Sequence, residues 1–213
     1  LLTIWDLTKG IDPNLCIENT KLLYKSGGKN GTWINPSGLP EWLSNLLPKE
    51  KTLENTPVAI LVMSDRASKG EYTDRSGPLL KEFLQKAKAQ LVHYEVIPDE
   101  FEQIASKMLS ICKEHKPKLL ITSGGTGPGP RDVTPEALHK IADKILDGIG
   151  DFIRTESLCF TETSWLSRMS AAMIGSTLVL TFPGSQKAVQ ECLDIIGPIL
   201  PVALERILKQ GYE

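Results

Sequence analysis

The sequence predicts an α/β sandwich built around a mostly parallel sheet. From Pro57 onward, apolar runs of strand length alternate with longer segments of helical pattern, which is the arrangement of α/β proteins. The runs 58–63 and 119–122 are apolar almost throughout, and such runs indicate strands buried on both faces. Ligands on parallel sheets bind outside the carboxyl ends of the strands, so the search for a site begins there.

Four strands and five helices are predicted in this part of the chain. The strands are Val58–Met63, Leu91–Ile97, Leu119–Thr122 and Thr177–Phe182. The helices are Ser76–Ala89, Glu100–His115, Pro135–Leu146, Ser164–Ile174 and Ser185–Gln210. Gly197 and Pro198 are expected to interrupt the last helix, because proline cannot continue the hydrogen-bond ladder.

Residues 36–56 are predicted to be a linker between two segments of different character. The stretch 35–57 carries four prolines and a charged run, a composition typical of connections between folded segments. One short helical turn is expected around Trp42–Leu47. The predicted organisation is therefore a tail at 1–35, the linker, and a main domain at 57–213.

The overall composition argues against several kinds of binding partner and metal site. A formal net charge of −2 gives no basic surface of the kind that neutralises phosphates, so nucleic acid is not expected as a partner. The four cysteines lie far apart without a Cys-x-x-Cys pair, which argues against a disulfide framework or a zinc site. No apolar run approaches the roughly 18 residues of a membrane helix. A cytoplasmic protein without a membrane partner is the expectation.

The loop Ser123–Gly129, which follows the third predicted strand, is the strongest candidate for ligand binding. Its glycines, Gly124, Gly125 and Gly127 among them, can adopt positive φ and leave backbone N–H groups uncovered, which makes a concavity for an anion such as phosphate. No lysine follows Gly129, so the loop is not a Walker A motif. A tight connection without a ligand is the alternative.

Two aspartates are predicted to lie on the same rim as this loop. Asp99 follows the second strand, where it also fits the first position of a capping box. Asp132 precedes Thr134, the predicted N-cap of the next helix, and is therefore left without a structural duty unless it is a redundant cap. Two carboxylates would repel a phosphate unless a divalent cation lay between them, and Mg²⁺ is bound by such acids together with substrate phosphates. This pairing suits nucleotidyl transfer.

Two further loops offer polar groups at strand ends. Ser64 and Asp65 follow the first strand, and Pro183–Ser185 precede the last helix, whose N-terminus favours an anion. Each loop could equally be a turn or a cap. Arg131 is either a phosphate clamp or a solvated charge. Four such loops on one rim favour a binding site over four unrelated turns.

These segments, taken together, resemble the molybdopterin adenylyltransferase family. The resemblance runs in order from Pro57 to about Lys209, through SDRASKGEYTDRSGP, IPDE, TSGGTGPGPRDVTPEA, LSRMSAAMIGSTLVLTFPG and SQKAVQEC. It implies a three-layer α/β/α domain of the molybdopterin-binding fold that forms homotrimers. It also implies Mg²⁺ as cofactor, ATP and molybdopterin as substrates, and the joining of the molybdopterin phosphate to AMP with release of pyrophosphate. This is a step of molybdenum cofactor biosynthesis, with a molybdotransferase as a possible partner.

The resemblance also implies roles for particular residues. Asp99 and Asp132 would be the essential acids, acting on the metal or on the position of the nucleotide. The nucleotide and pterin site would be lined by Ser64, Asp65, Gly124, Gly125, Thr126 and Gly127. The pterin side would be held by Ser167, Arg168, Pro183, Gly184 and Ser185. A non-catalytic pterin-binding or scaffold module and a nucleotide-binding regulator are the competing hypotheses.

The tail resembles the carboxyl-terminal end of cyclic pyranopterin monophosphate synthase, through LTIWDLTKGID and TKLLYKSGGKNG. In that family the residues matching Asp6 and Lys9 are catalytic, and those matching Lys25 and Lys29 lie near the active site. On spacing alone, Asp6 and Lys9 also fit an i, i+3 surface salt bridge. The rest of that enzyme is not found within these residues. We therefore expect a piece of a bifunctional protein, without synthase activity of its own.

Overall fold

The computed structural model describes residues 10–12, 16, 20–25, 33–46, 52–71 and 73–209. The chain divides into two units, Leu1–Glu50 and Lys51–Glu213. In the first unit, β1 (Tyr24–Lys25) pairs antiparallel with β2 (Trp33–Ile34), and helix α1 (Glu41–Leu46) follows. Lys25 is exposed on β1, whereas Asp6, Lys9 and Lys29 lie outside the described residues.

The second unit is built on a six-stranded sheet with the order β4-β3-β5-β8-β7-β6. Its strands are β3 (Pro57–Met63), β4 (Gln90–Ile97), β5 (Leu119–Ser123), β6 (Lys144–Ile145), β7 (Ala171–Ile174) and β8 (Thr177–Phe182). The first four strands in the spatial order are parallel, while β7 runs antiparallel to both of its neighbours. All four predicted strands are confirmed, and they are the parallel ones.

Helices cover both faces of this sheet, which confirms the predicted three-layer sandwich. They are α2 (Asp65–Ser68), α3 (Ser76–Lys86), α4 (Phe101–Glu114), α5 (Thr134–Ile141), α6 (Asp147–Ser157), α7 (Gln186–Ile196) and α8 (Leu200–Lys209). Ile60 and Ile121 pack with α3, α6, α7 and α8 on one face. Leu61 and Leu120 pack with α4 and α5 on the other. None of the described helices is both long enough and apolar enough to cross a membrane.

The predicted helix Ser164–Ile174 is wrong. The segment forms one 3₁₀ turn, Ser164–Leu166, and then strand β7. Gly175 has a φ of +56° and closes a tight turn that pairs β7 with β8, so sheet pairing overrides the local helical pattern. The predicted helix Pro135–Leu146 is too long, because α5 ends at Ile141 and Lys144–Ile145 form strand β6, which pairs with β7. Helix α6 was not predicted. The interruption of the last helix is confirmed, since α7 ends at Ile196 and α8 begins at Leu200.

The topology brings four loops to one edge of the sheet. Because β3, β4, β5 and β8 are parallel, their carboxyl ends face the same way. The residues that follow these strands begin the four loops singled out in the sequence. The fold thus supplies a shared rim for side chains that are far apart along the chain.

Candidate functional site

A cavity of about 1080 Å³ opens at this edge of the sheet. Binding sites for small molecules are usually roughly 300–1,000 Å³, so the cavity can hold more than one ligand group. Its wall contains every predicted binding residue of the main domain except Arg168, namely Ser64, Asp65, Asp99, Gly124, Gly125, Thr126, Gly127, Asp132, Ser167, Pro183, Gly184 and Ser185.

The glycine loop passes between the ends of two neighbouring strands. Gly124 has a φ of +114°, and its N–H donates to the carbonyl of Phe182 at 3.0 Å. A Cβ added to Gly124 would lie 2.2 Å from the carbonyl oxygen of Met63, and one added to Gly184 would lie 3.3 Å from the Cα of Gly124. Glycine is therefore required here both by conformation and by the close approach of β3 and β8.

Thr134 anchors the same loop from the far side. Its buried hydroxyl donates to the carbonyl of Gly124 at 2.9 Å, and its N–H donates to the carbonyl of Gly125 at 3.0 Å. The predicted role of Thr134 as N-cap is wrong, because Val133 occupies that position and α5 already begins at Thr134. The hydroxyl that would have capped the helix fixes the shape of the loop. Pro135 lies in the first turn, as predicted.

Asp132 fills the inside of the loop. Its Oδ2 accepts a hydrogen bond from the N–H of Gly129 at 3.0 Å, and a Cβ on Gly127 would lie 2.7 Å from the same oxygen. The expectation that Asp132 lacks a structural duty is therefore wrong. Its Oδ1 forms no hydrogen bond to a described residue, and the side chain lies on the cavity wall. One oxygen holds the loop, and the other can act on a ligand.

Asp99 and Asp65 tie the ends of β4 and β3 together through two reciprocal hydrogen bonds. The N–H of Asp65 donates to Asp99 Oδ2 at 2.9 Å, and the N–H of Asp99 donates to Asp65 Oδ1 at 3.0 Å. The predicted capping role of Asp99 is wrong, because Glu100 is the N-cap residue of α4 and makes no side-chain cap bond. Within the described chain, Asp99 Oδ1 has no hydrogen-bond donor of its own.

Arg131 lies across the rim as the partner of two acids. Its Nη2 donates to Asp65 Oδ2 at 2.8 Å and to Glu100 Oε1 at 2.9 Å. The hydrogen bond from Arg131, aided by the N–H of Asp99, lowers the pKa of Asp65. Arg131 is therefore ion-paired, and it also lies on the cavity wall, so its predicted role as a phosphate clamp stays a prediction.

The carboxyl of Asp99 is in the opposite electrostatic situation. Burial raises the pKa of Asp99, and the negative charges of Asp65 and Asp132 raise it further, against the opposing effect of the Asp65 N–H and of Arg131. Asp99 and Asp132 therefore share one region of space. The described residues contain no cluster of three acidic, histidine or cysteine side chains that could hold a metal ion. Two carboxylates completed by substrate phosphates still fit Mg²⁺.

Asp99→Asn is expected to raise the melting temperature at neutral pH, because Asp99 is partly buried beside the negative charges of Asp65 and Asp132. The raised pKa means that ionised Asp99 destabilises the fold at pH values above it, and this effect disappears as the pH falls through that pKa. Asparagine keeps an oxygen for the Asp65 N–H and removes the charge. Thermal denaturation at pH 7 and at progressively lower pH should show a gain that shrinks with acidity. A lower melting temperature at pH 7 would contradict the assignment.

Arg168 and Ser167 approach the glycine loop from outside and inside, respectively. The Arg168 N–H donates to the carbonyl of Thr126 at 2.8 Å, and its Nε donates to that of Gly127 at 2.9 Å. Its guanidinium also contacts the carbonyl of Asp132 and the carboxylate of Glu136. Ser167 lies on the cavity wall with its Oγ 3.4 Å from Thr126 Oγ1. Arg168 thus supports the loop backbone and is not on the wall.

The hydroxyls of Ser64 and Ser185 have local duties at this rim. Ser64 Oγ accepts from the N–H of Ala67 at the start of α2, and Ser185 Oγ accepts from the N–H of Ala188 at the start of α7. Both hydroxyls are therefore helix caps, which is one of the structural roles considered for these loops. Capping does not remove either residue from the cavity wall.

Sequence reasoning missed two acids on the cavity wall. Asp74 accepts hydrogen bonds from the N–H groups of Ser76 and Gly77 and from the Tyr94 hydroxyl at 2.8 Å. Burial has the largest effect on the pKa of Tyr94, and together with the hydrogen bond to Asp74 it raises that pKa to about 12. The Asp-x-Ser-Gly-Pro pattern at the start of α3 was the available signal. Glu191 is only 8% exposed, and its signal was an acid within the apolar stripe of α7.

The fold and site define a three-layer α/β protein whose cavity, at the carboxyl edge of the sheet, combines a bare glycine loop with acidic side chains. Residues 59–202 match the family described as "Probable molybdopterin binding domain". The chain belongs to this family, as the sequence motifs predicted.

Three similar proteins illustrate the relationship. A molybdopterin adenylyltransferase of Helicobacter pylori is 38% identical over 158 residues, which are 73% of this chain and 90% of the relative. A molybdenum cofactor biosynthesis bifunctional protein of Synechococcus elongatus is 33% identical over 96% of this chain, and the chain spans 62% of its length. The crystal structure of the molybdopterin biosynthesis enzyme MoaB from Thermus thermophilus has a TM-score of 0.68 and 34% identity, covering 74% of this chain and 99% of that one. The predicted enzyme class, a nucleotidyltransferase, is the class of the adenylyltransferase relative.

Proposed function

We propose that this chain catalyses the adenylylation of molybdopterin by Mg-ATP. A terminal phosphate oxygen of molybdopterin attacks the α-phosphorus of ATP, and the bond from that phosphorus to the leaving pyrophosphate breaks. The products are adenylyl-molybdopterin and pyrophosphate. The observation that carries the proposal is the meeting of the glycine loop, Asp99 and Asp132 on one cavity wall, in a chain similar to an adenylyltransferase.

The charges in this reaction indicate what the aspartates are for. A phosphate monoester has its second pKa near 6, so the attacking oxygen is largely ionised at neutral pH and no strong general base is required. The difficulty is instead the repulsion between two polyanions. The residues of the site are therefore expected to position phosphates and to balance their charge.

Different groups of the chain are suited to positioning the phosphates and to balancing their charge. Gly125 and Gly127 line the cavity, and the backbone N–H groups of a bare glycine loop suit phosphate oxygens. The Oδ1 atoms of Asp99 and Asp132 suit a cation, because neither accepts a hydrogen bond from a described residue. Bound Mg²⁺ would neutralise charge on the ATP phosphates and on the leaving pyrophosphate.

The proposal is tested by measuring pyrophosphate release from ATP with and without molybdopterin. We expect release that depends on both substrates and on Mg²⁺. Binding of the pterin without any release of pyrophosphate would indicate a scaffold module. Binding of ATP that is indifferent to the pterin would indicate a regulator. Either result would contradict the proposed function.

We also propose that residues 1–35 are the carboxyl-terminal part of a cyclic pyranopterin monophosphate synthase joined to the transferase domain. The match to the bifunctional relative covers 96% of the chain and so extends well into the first unit, Leu1–Glu50. The purified chain is expected to show no cyclisation of the purine-derived precursor. Turnover by this chain would contradict that interpretation.

A homotrimer is a further part of the proposal. Several large apolar side chains are exposed on α6 and on the segment that follows it: Phe152, Leu158, Phe160 and Trp165. Apolar surface of this kind favours association between copies. Sedimentation equilibrium is expected to give three times the chain mass of 23.5 kDa, and a stable monomer would contradict it.

Two further expectations stay predictions. They are a molybdotransferase as recipient of the product and a cytoplasmic location.

A further inference from the structure

Glu191 is a buried acid on the cavity wall that the proposed chemistry does not use. It lies on α7, is 8% exposed and lines the same cavity as the two aspartates. Its neighbours along the buried stripe of the helix, Val189, Cys192 and Leu193, belong to the core. An ionisable side chain in such a stripe calls for a physical explanation.

The protein itself satisfies this carboxylate poorly. The nearest cation among the described residues is Lys187, whose Nζ is 3.7 Å from Glu191 Oε1 and whose side chain is 80% exposed. No hydrogen bond from a described residue reaches either carboxylate oxygen. A carboxylate on a largely buried side chain that accepts no hydrogen bond from the described residues is left with lone pairs that a bound molecule can use. Donors supplied by an occupant of the cavity would satisfy these lone pairs.

The surroundings of Glu191 indicate what kind of occupant this is. Met169 and Cys192, both buried and with their sulfur atoms 3.5 Å apart, line the same cavity, and so does Leu166. Sulfur makes favourable contacts with aromatic rings, and aliphatic side chains pack against flat rings. A flat heterocycle that carries N–H donors on one edge fits this combination.

The two substrates differ in the donors that they offer. A pterin presents its N3–H and its 2-amino group side by side, which matches the two oxygens of a carboxylate in a bidentate arrangement. Adenine presents its amino group beside ring nitrogens that accept, and a carboxylate cannot pair with those. The hydrogen-bonding pattern therefore favours the pterin over adenine.

The strand order separates this acid from Asp99. Helix α7 follows β8, which lies three places from β4 in the sheet, and Asp99 follows β4. At about 4.8 Å per strand, these two strands are roughly 14 Å apart. The cavity is thus long enough for a ring near Glu191 and for phosphates that extend past the glycine loop toward Asp99.

We propose, resting on the function proposed above, that Glu191 is the residue that recognises the pterin ring, by accepting hydrogen bonds from its N3–H and 2-amino groups. Glu191 then determines which heterocycle can enter this end of the cavity, while Asp99 and Asp132 serve the phosphates.

The first test is the steady-state kinetics of Glu191→Gln. Loss of a charged, paired hydrogen bond is expected to raise the KM for molybdopterin by about 10- to 100-fold, with the KM for ATP unchanged. Asp194→Asn is the matched control, because Asp194 lies on the same helix, is exposed and binds Gln190. The control is expected to behave as the wild type. An unchanged KM for molybdopterin, or equal rises for both substrates, would overturn the proposal.

The second test measures binding and does not depend on turnover. Fluorescence titrations would compare pterin 6-carboxylate with lumazine 6-carboxylate, which has a carbonyl in place of the 2-amino group. The wild type is expected to prefer the pterin by at least about 10-fold, and Glu191→Gln to lose most of that preference. A wild type without this preference would refute the role of Glu191. If the preference is present but pyrophosphate release is absent, the proposed reaction fails while this assignment stands.

Discussion

Asp132→Asn is expected to lower the rate of pyrophosphate release by about 100-fold or more, without loss of the fold. Asparagine retains an oxygen that can accept from the Gly129 N–H, the hydrogen bond that closes the loop at 3.0 Å. What it removes is the negative charge facing the cavity. Asp99→Asn is expected to act in the same way, because asparagine keeps an acceptor for the Asp65 N–H. The measurement is kcat for pyrophosphate release at saturating Mg²⁺, together with the melting temperature.

Asp143→Asn provides the matched control for this substitution. Asp143 Oδ2 accepts a hydrogen bond from the N–H of Gly175, in the turn before β8 at the opposite edge of the sheet. The change removes the same charge from the same kind of acceptor, but far from the cavity. Full activity of this control is expected. Full activity of Asp132→Asn would show that the aspartate serves only the loop and would contradict its assigned role.

Gly124→Ala is expected to reduce the free energy of unfolding by at least about 2 kcal/mol and to abolish activity. Gly124 has a φ of +114°, a region that residues with a Cβ rarely adopt. The added methyl group would also lie 2.2 Å from the carbonyl oxygen of Met63, which is backbone and cannot swing away. Relief requires β5 to move relative to β3, and this displaces the loop from its ligands.

Gly175→Ala separates the contribution of backbone strain from the contribution of steric overlap. Gly175 also has a positive φ, +56°, but a Cβ there would meet nothing within 4 Å. Conformational strain alone should cost about 1 kcal/mol and leave activity intact. Chemical denaturation of both variants measures the difference. Equal losses of stability would contradict the steric explanation for Gly124.

The sequence was sufficient to predict the parallel part of the sheet and its functional edge. Strands such as 58–63 and 119–123 are buried on both faces, so runs 58–63 and 119–121 are apolar without interruption, and the residues that follow them are polar or glycine. Because parallel strands end at one edge of a sheet, the sequence pattern alone predicted that Asp99, Asp132 and the glycine loop lie close together. The structure confirms that shared position on the cavity wall.

The local duties of the same residues could not be predicted, because they depend on partners that are distant in the chain. Asp99 has the spacing of a helix cap, yet it binds the N–H of Asp65, 34 residues away. Thr134 also has the spacing of a cap, yet its hydroxyl is drawn to the carbonyl of Gly124. Strand β7 carries a helical pattern and becomes a strand because the edge of β8 is available for pairing. In each case a tertiary partner decides between two locally acceptable structures.

Transfer of an adenylyl group to a pterin in this cavity can be followed with ATP labelled at its α-phosphate. We expect the label to appear in a molybdopterin-linked product in the same amount as the pyrophosphate released. We also expect Asp132→Asn to prevent both events while the loop stays folded. Label recovered only as free AMP, or not released from ATP at all in the presence of molybdopterin and Mg²⁺, would contradict the proposed transfer.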